Sequence, residues 1–160
     1  MKQNQEQDNL VTTNRKAYHD FFIDEKYEAG MQLLGTEVKS LRAKQVNLAD
    51  SFARIEKDEL VLYNAHISPY THGNLANHDP TRKRKLLLSK REIMKIFGKI
   101  QQKGFTLIPL QIYFNKRGFA KVELGIARGK KLYDKRETLA KKSAEREMAR
   151  GMKQSSLQKG

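Results

Sequence analysis

The chain has 160 residues, 32 of them Lys or Arg against 18 Asp or Glu, a formal charge of +14, and that length holds one domain with tails rather than two separate cores. It contains no cysteine, which excludes a disulfide framework, thiolate zinc ligation and a thiol nucleophile. The longest apolar runs, such as 105–112, are far too short to span a membrane, and the polar first residues lack the layout of a secretion signal, so the expected location is cytoplasmic.

Residues 1–13 are rich in Gln and Asn and poor in apolar side chains, and are expected to form a flexible lead. From Tyr18 to Leu34 the residues suit a strand, bent or bulged near Asp24–Lys26. Gly35 and Thr36 then open a brief helix with Thr36 as its N-cap. Phe52–Glu56 and Leu60–Asn64 flank the polar turn Lys57-Asp58-Glu59 and predict an antiparallel hairpin. Residues 68–85 lack periodicity and carry the basic tetrad Arg82-Lys83-Arg84-Lys85, the pattern of a long exposed loop.

Ser89 with Glu92 has the spacing of a capping box, followed by Ile93, Ile96, Phe97 and Ile100 on one helical face, and Gly104 ends that helix. Phe105–Phe114, the turn at 115–118 and the alternating run Phe119–Ala127 predict a second hairpin, with an edge or bulge at Pro109, which has no N–H to donate. About six strands with two or three short helices suit a mainly β, OB-like antiparallel barrel over residues 14–128. Residues 129–160 form a basic C-terminal tail, with ten Lys or Arg against four acids, whose thin apolar ridge leaves it disordered alone and helical when bound.

Catalytic chemistry finds little support. His66, His72 and His78 recur every six residues without a completing ligand set and are expected to be solvated loop residues, so no metal or other cofactor is expected. Phosphate loops, dinucleotide fingerprints and a nucleophile turn are all absent from the sequence, and a non-enzyme is expected. What remains is charge: Arg15, Lys16, Lys39, Arg42, Lys44, the 82–85 tetrad, Lys121, Arg128, Lys130 and Lys131 together suit a path for phosphates, with nucleic acid favoured over a membrane surface. Glu28 admits two readings, an ordinary exposed acid or an acceptor for base edges and riboses.

Four motifs in order sharpen this. Asn14-Arg15-Lys16-Ala17, the stretch Tyr27-Glu28-Ala29-Gly30 through Gly35-Thr36-Glu37-Val38-Lys39-Ser40-Leu41-Arg42, Asp79-Pro80-Thr81-Arg82 with Arg84-Lys85-Leu86-Leu87-Leu88, and Gly129-Lys130-Lys131 with Tyr133-Asp134-Lys135-Arg136 closely resemble the SmpB family of bacterial SsrA-binding proteins. The resemblance implies an OB-fold body that binds the tRNA-like domain of transfer-messenger RNA and delivers it to stalled ribosomes for trans-translation. It further implies RNA contacts at Glu28, Leu87, Lys121, Arg128, Gly129, Lys130 and Lys131, and a tail whose Tyr133, Asp134, Lys135, Arg136 and Met152 act in the decoding site of the small-subunit rRNA and in the empty messenger channel. Elongation factor Tu is implied as a partner through the aminoacylated RNA. Arg128 stands where lysine is usual, Tyr133 where histidine is common, and Gly151 where a branched apolar residue is usual. The competing expectation is a ribosomal protein with a basic rRNA-binding extension.

Overall fold

The computed structural model describes residues 9–71, 77–102, 104–130 and residue 146. Among these lie nine strands and three helices in the order β1 (Leu10–Thr13), α1 (Arg15–Asp20), β2 (Phe21–Met31), α2 (Gly35–Arg42), β3 (Val46–Asn47), β4 (Phe52–Glu56), β5 (Glu59–Tyr63), β6 (His66–Ile67), β7 (Arg84–Leu87), α3 (Lys90–Ile100), β8 (Phe105–Phe114) and β9 (Ala120–Gly129). Six of the strands close a ring in the order β8-β4-β5-β7-β2-β9, with β9 returning to β8, and β1 is added along β8. All these pairings are antiparallel, so the expected OB-like barrel is the fold observed. Two seams are narrow: β4 meets β8 at Ala53↔Leu107, and β2 meets β7 at Gly30↔Leu87 and Met31↔Leu86.

Alternation along the strands fills the barrel. Leu60, Leu62, Leu86, Leu107, Ile112, Val122, Leu124 and Ile126 point inward and are buried, while on the other face Ile108, Leu110 and Ala127 form a smaller cluster under Ala17 of α1. The β4–β5 hairpin turns on two residues rather than three, because Lys57 and Asp58 both take positive φ (48° and 65°) and Glu59 already pairs with Glu56. At the β8–β9 turn Gly118 takes φ 82°, and the Asn115 carboxamide oxygen accepts from the Arg117 and Phe119 amides. The expected irregularities both occur: β2 slips register against β9 between Ile23 and Glu25, and β8 slips between Pro109 and Gln111. In α3, Ser89 Oγ accepts from the Glu92 amide at 3.3 Å and Ile96 is fully buried.

The flexible lead expected through residue 13 is corrected. Leu10–Thr13 is strand β1, in which Val11 is buried and Thr12 pairs with Ile112. Four residues suffice because a preformed partner strand supplies their hydrogen bonds. His19 and Asp20 belong to α1 rather than to a strand, and α1 exists because Asn14 holds it. The Asn14 side chain accepts from Ala17 N at 3.2 Å while its Nδ2 donates to Leu48 O and Pro109 O at 3.1 and 2.9 Å. The N-cap of α2 is Leu34, not Thr36: the Glu37 carboxylate accepts from the Leu34 amide at 2.8 Å. At the other boundary β9 runs through Gly129, one residue beyond the expected body. The expected behaviour of the tail beyond Lys130 lies outside the described residues, apart from Arg146.

Candidate nucleic-acid interface

Register places three of the expected contact residues side by side although they are far apart in sequence. Gly30 pairs with Leu87 on one side and with Lys121 on the other, and directly opposed residues share a face. Glu28, two residues before Gly30, lies on that same outward face, as do its partner Glu123 and, across β8, Tyr113 opposite Lys121. Glu28 and Leu87 are exposed, Leu87 at 51%. An aliphatic side chain held in water beside a carboxylate and an ammonium forms a mixed patch suited to a ribose or base face rather than to protein packing.

Two residues missed in the sequence shape this patch. Tyr113 donates its hydroxyl to Glu28 Oε2, which orients the carboxylate, and burial followed by that hydrogen bond pushes the phenol pKa up, so it stays a donor. Gly30 keeps the strands close at this point: a Cβ there would meet Leu87 Cβ at 3.3 Å, tighter than an ordinary contact. Alternation breaks down at the Pro109 bulge, so only the strand pairing puts Tyr113 against Glu28.

Arg128 does not join this face. The bulge after Ile23 shifts the β2 register, and Arg128 pairs with Phe22 and Phe105 on the opposite side of β9 from Lys121. It donates to Asp24 Oδ1 at 3.2 Å and lies over the Phe105 ring at 5.7 Å. Lys130 donates to Tyr18 O at 3.2 Å and sits 5.3 Å from the Phe22 ring, so Arg128, Gly129 and Lys130 form a second group at the far end of the barrel. Arg15 and Lys16 are exposed on α1, where Lys16 pairs with Asp50 at 3.0 Å beside a cavity of about 400 Å³ between α1 and residues 49–52. Lys131, Tyr133, Asp134, Lys135, Arg136 and Met152 lie outside the described residues.

The basic tetrad divides, which corrects the exposed-loop expectation for 68–85. Arg84 is fully buried: its Nε donates to Glu37 Oε2, Nη1 to Ala65 O at 2.7 Å and Nη2 to Pro80 O at 3.1 Å. Arg82 Nη2 reaches the other Glu37 oxygen at 2.5 Å. Desolvation raises the pKa of buried Glu37, but hydrogen bonds from Arg82, the Leu34 amide and Arg84 outweigh it and hold the carboxyl below its ordinary value. These arginines are structural and withdraw from the phosphate path, leaving Lys83 and Lys85 exposed. His78 is likewise buried rather than solvated, its two ring nitrogens within 2.9 Å of Thr36 Oγ1 and 2.8 Å of Ile67 O. Among the described residues no group of His, Asp or Glu is placed to hold a metal ion, and no helix is long and apolar enough to cross a membrane.

An antiparallel barrel with a mixed polar patch on one face and a further cationic group at its end places the protein in the class of small nucleic-acid-binding β-barrels. The model of the SmpB protein family matches residues 11–154, and the chain belongs to that family. It is 61% identical over 144 residues to the SsrA-binding protein of Carboxydothermus hydrogenoformans, covering 90% of this chain and 96% of that one. It is 59% identical over 147 residues to the SsrA-binding protein of Geobacter sulfurreducens, covering 92% and 95%. A solved structure described as "tmRNA-SmpB: a journey to the center of the bacterial ribosome" superposes with a TM-score of 0.65 at 60% identity, over 74% of this chain and 83% of that chain.

Proposed function

We propose that this protein binds the tRNA-like domain of transfer-messenger RNA and delivers it to ribosomes stalled without a usable codon, for trans-translation. The observation that carries the reading is the convergence of Glu28, Leu87 and Lys121 around Gly30 on one exposed face. Kinship with SsrA-binding proteins supports the choice of RNA. Lys121 supplies charge to a phosphate, Glu28 accepts from a ribose or base edge, and Leu87 packs against a sugar or base. Arg128, Gly129, Lys130 and Lys131 continue the contact at the root of the tail, with Arg15 and Lys16 on the neighbouring helix. The residues that follow, among them Tyr133, Asp134, Lys135, Arg136 and Met152, enter the decoding site and the vacant messenger channel. A cationic segment suits a channel walled by rRNA, and messenger already in place excludes it.

The chain makes and breaks no bond in this scheme. It acts in the cytoplasm, and elongation factor Tu joins through the aminoacylated RNA. Sequencing the RNA that co-purifies with the intact protein tests the reading. One tRNA-like RNA, enriched off the ribosome, is the expected result. Recovery of rRNA alone from a protein permanently resident on ribosomes would favour the ribosomal-protein reading instead.

A further inference from the structure

We infer that the pole of the barrel formed by the C-terminal end of α2 and the β8–β9 turn is a separate phosphate-binding site, which grips a second backbone segment of the same RNA that the Glu28 face reads. The inference rests on that RNA being the ligand, and it concerns Lys39, Arg42, Lys44, Lys116 and Arg117. All five are exposed, and none makes an ion pair among the described residues. Lys16, Lys26 and Lys85 each have a carboxylate partner, whereas Arg15, Arg54, Lys57 and Lys95 are exposed without one among the described residues, like the five, so what sets the pole apart is the convergence of its cations rather than the lack of partners.

The five come from two distant stretches that the fold brings together. Arg42 lies over the Phe114 ring at 5.1 Å, and its Nη2 is 4.0 Å from where a Cβ on Gly118 would stand, so the last turn of α2 abuts the turn carrying Lys116 and Arg117. Lys39, one turn earlier on the helix, sits 5.4 Å from the Tyr70 ring, and Phe119 beside the turn is 62% exposed. Rings interleaved with unpaired cations suit a nucleic-acid backbone and its sugars or bases. The helix dipole accounts for basic residues in the last turn of α2, but it does not reach Lys116 or Arg117.

Lys44 supplies an independent sign. It has φ 58° at the end of α2, where Gln45 N donates to Ser40 O at 3.0 Å and Lys44 N to Leu41 O at 2.9 Å, the capping geometry in which glycine rests without strain. A lysine held there costs stability and gains a charge at the pole. The pole adjoins the Glu28 face through consecutive residues, since Tyr113 contacts Glu28 while Phe114 lies under Arg42. One folded RNA can therefore span both.

The test measures affinity of the full-length protein for a transfer-messenger RNA transcript across a salt series. Each lost phosphate contact lowers the log–log salt slope by roughly 0.7–0.9. K116Q/R117Q is therefore expected to reduce the slope by about 1.5. K44G is expected to reduce it by about half as much while raising the melting temperature, a combination that loss of folding does not produce. K95Q, an exposed position inside α3 and outside the pole, is expected to keep the wild-type slope. Wild-type slopes in both pole variants would overturn the inference, as would an equal fall in the α3 control, which would mark a diffuse field rather than a site. An E28A arm separates the two readings: tight binding by E28A sinks the Glu28 face alone, and a pole without effect beside a weakened E28A sinks the pole alone.

Discussion

Glu37 is enclosed by protein, and its two oxygens are shared among Arg82, Arg84 and the Leu34 amide. Removing one partner from such a buried pair leaves the other charge stranded, at a cost of about 3–5 kcal/mol. Glu37→Gln is therefore expected to lower stability by that order in urea titration, through Arg84, whose own pKa is already pulled down by desolvation. The pH dependence follows from the same carboxyl. Its folded pKa lies below its unfolded value, so its contribution is complete above the unfolded pKa of about 4.3 and fades as pH falls through the folded value. Wild type should lose stability on acidification below about pH 5, and the Gln variant should lose less over that window. At the patch, Gly30→Ala presses a methyl on Leu87 Cβ, which side-chain rotation cannot move, so the two strands must give by a few tenths of an ångström and Leu87 is displaced. Stability should change by under about 1 kcal/mol while affinity for transfer-messenger RNA falls severalfold in a filter-binding titration.

At the scale of elements, the interplay of local and distant interactions explains what the sequence discloses. The β4–β5 hairpin, α3 and the β8–β9 hairpin are legible because alternation, helical periodicity and turn residues all act within a dozen positions. Strand β1 and helix α1 are not, because what makes them is remote: Ile112 for β1, and Leu48 and Pro109 for the cap of α1. The same limit hid the burial of Arg84, whose neighbours Lys83 and Lys85 give it the look of a surface run, while its acceptors lie on α2 and before β6. Glu28, Leu87 and Lys121 came through resemblance, and their meeting at Gly30 needed the strand order. Asn14 gives this scale its prediction. One carboxamide serves α1, the 48–51 segment and β8, so Asn14→Ala strands buried groups in all three and should cost about 2–3 kcal/mol by denaturant unfolding. Ser89→Ala removes a cap on exposed α3 and should cost only about 1 kcal/mol.

For the whole molecule the question is how binding and probing are divided. The barrel closes on itself through β8–β9 and β2–β9, and its core draws on every strand of the ring. Residues beyond Lys130 hold much of the surplus positive charge, yet the Glu28 face stands wholly within the barrel. Ending the chain after Lys131 should leave the melting temperature unchanged and retain most affinity for transfer-messenger RNA, because the shaped contacts remain. Salt sensitivity should fall, since the removed cations act through a field that salt screens. Rescue of stalled ribosomes in a reconstituted translation reaction should disappear, because the segment proposed to enter the vacant channel is gone. A truncated chain that loses RNA affinity in step with rescue would place recognition in the tail and make the barrel a carrier for it. Retained rescue would instead leave the barrel alone to detect the missing messenger, a task for which its closed surface offers no extended segment.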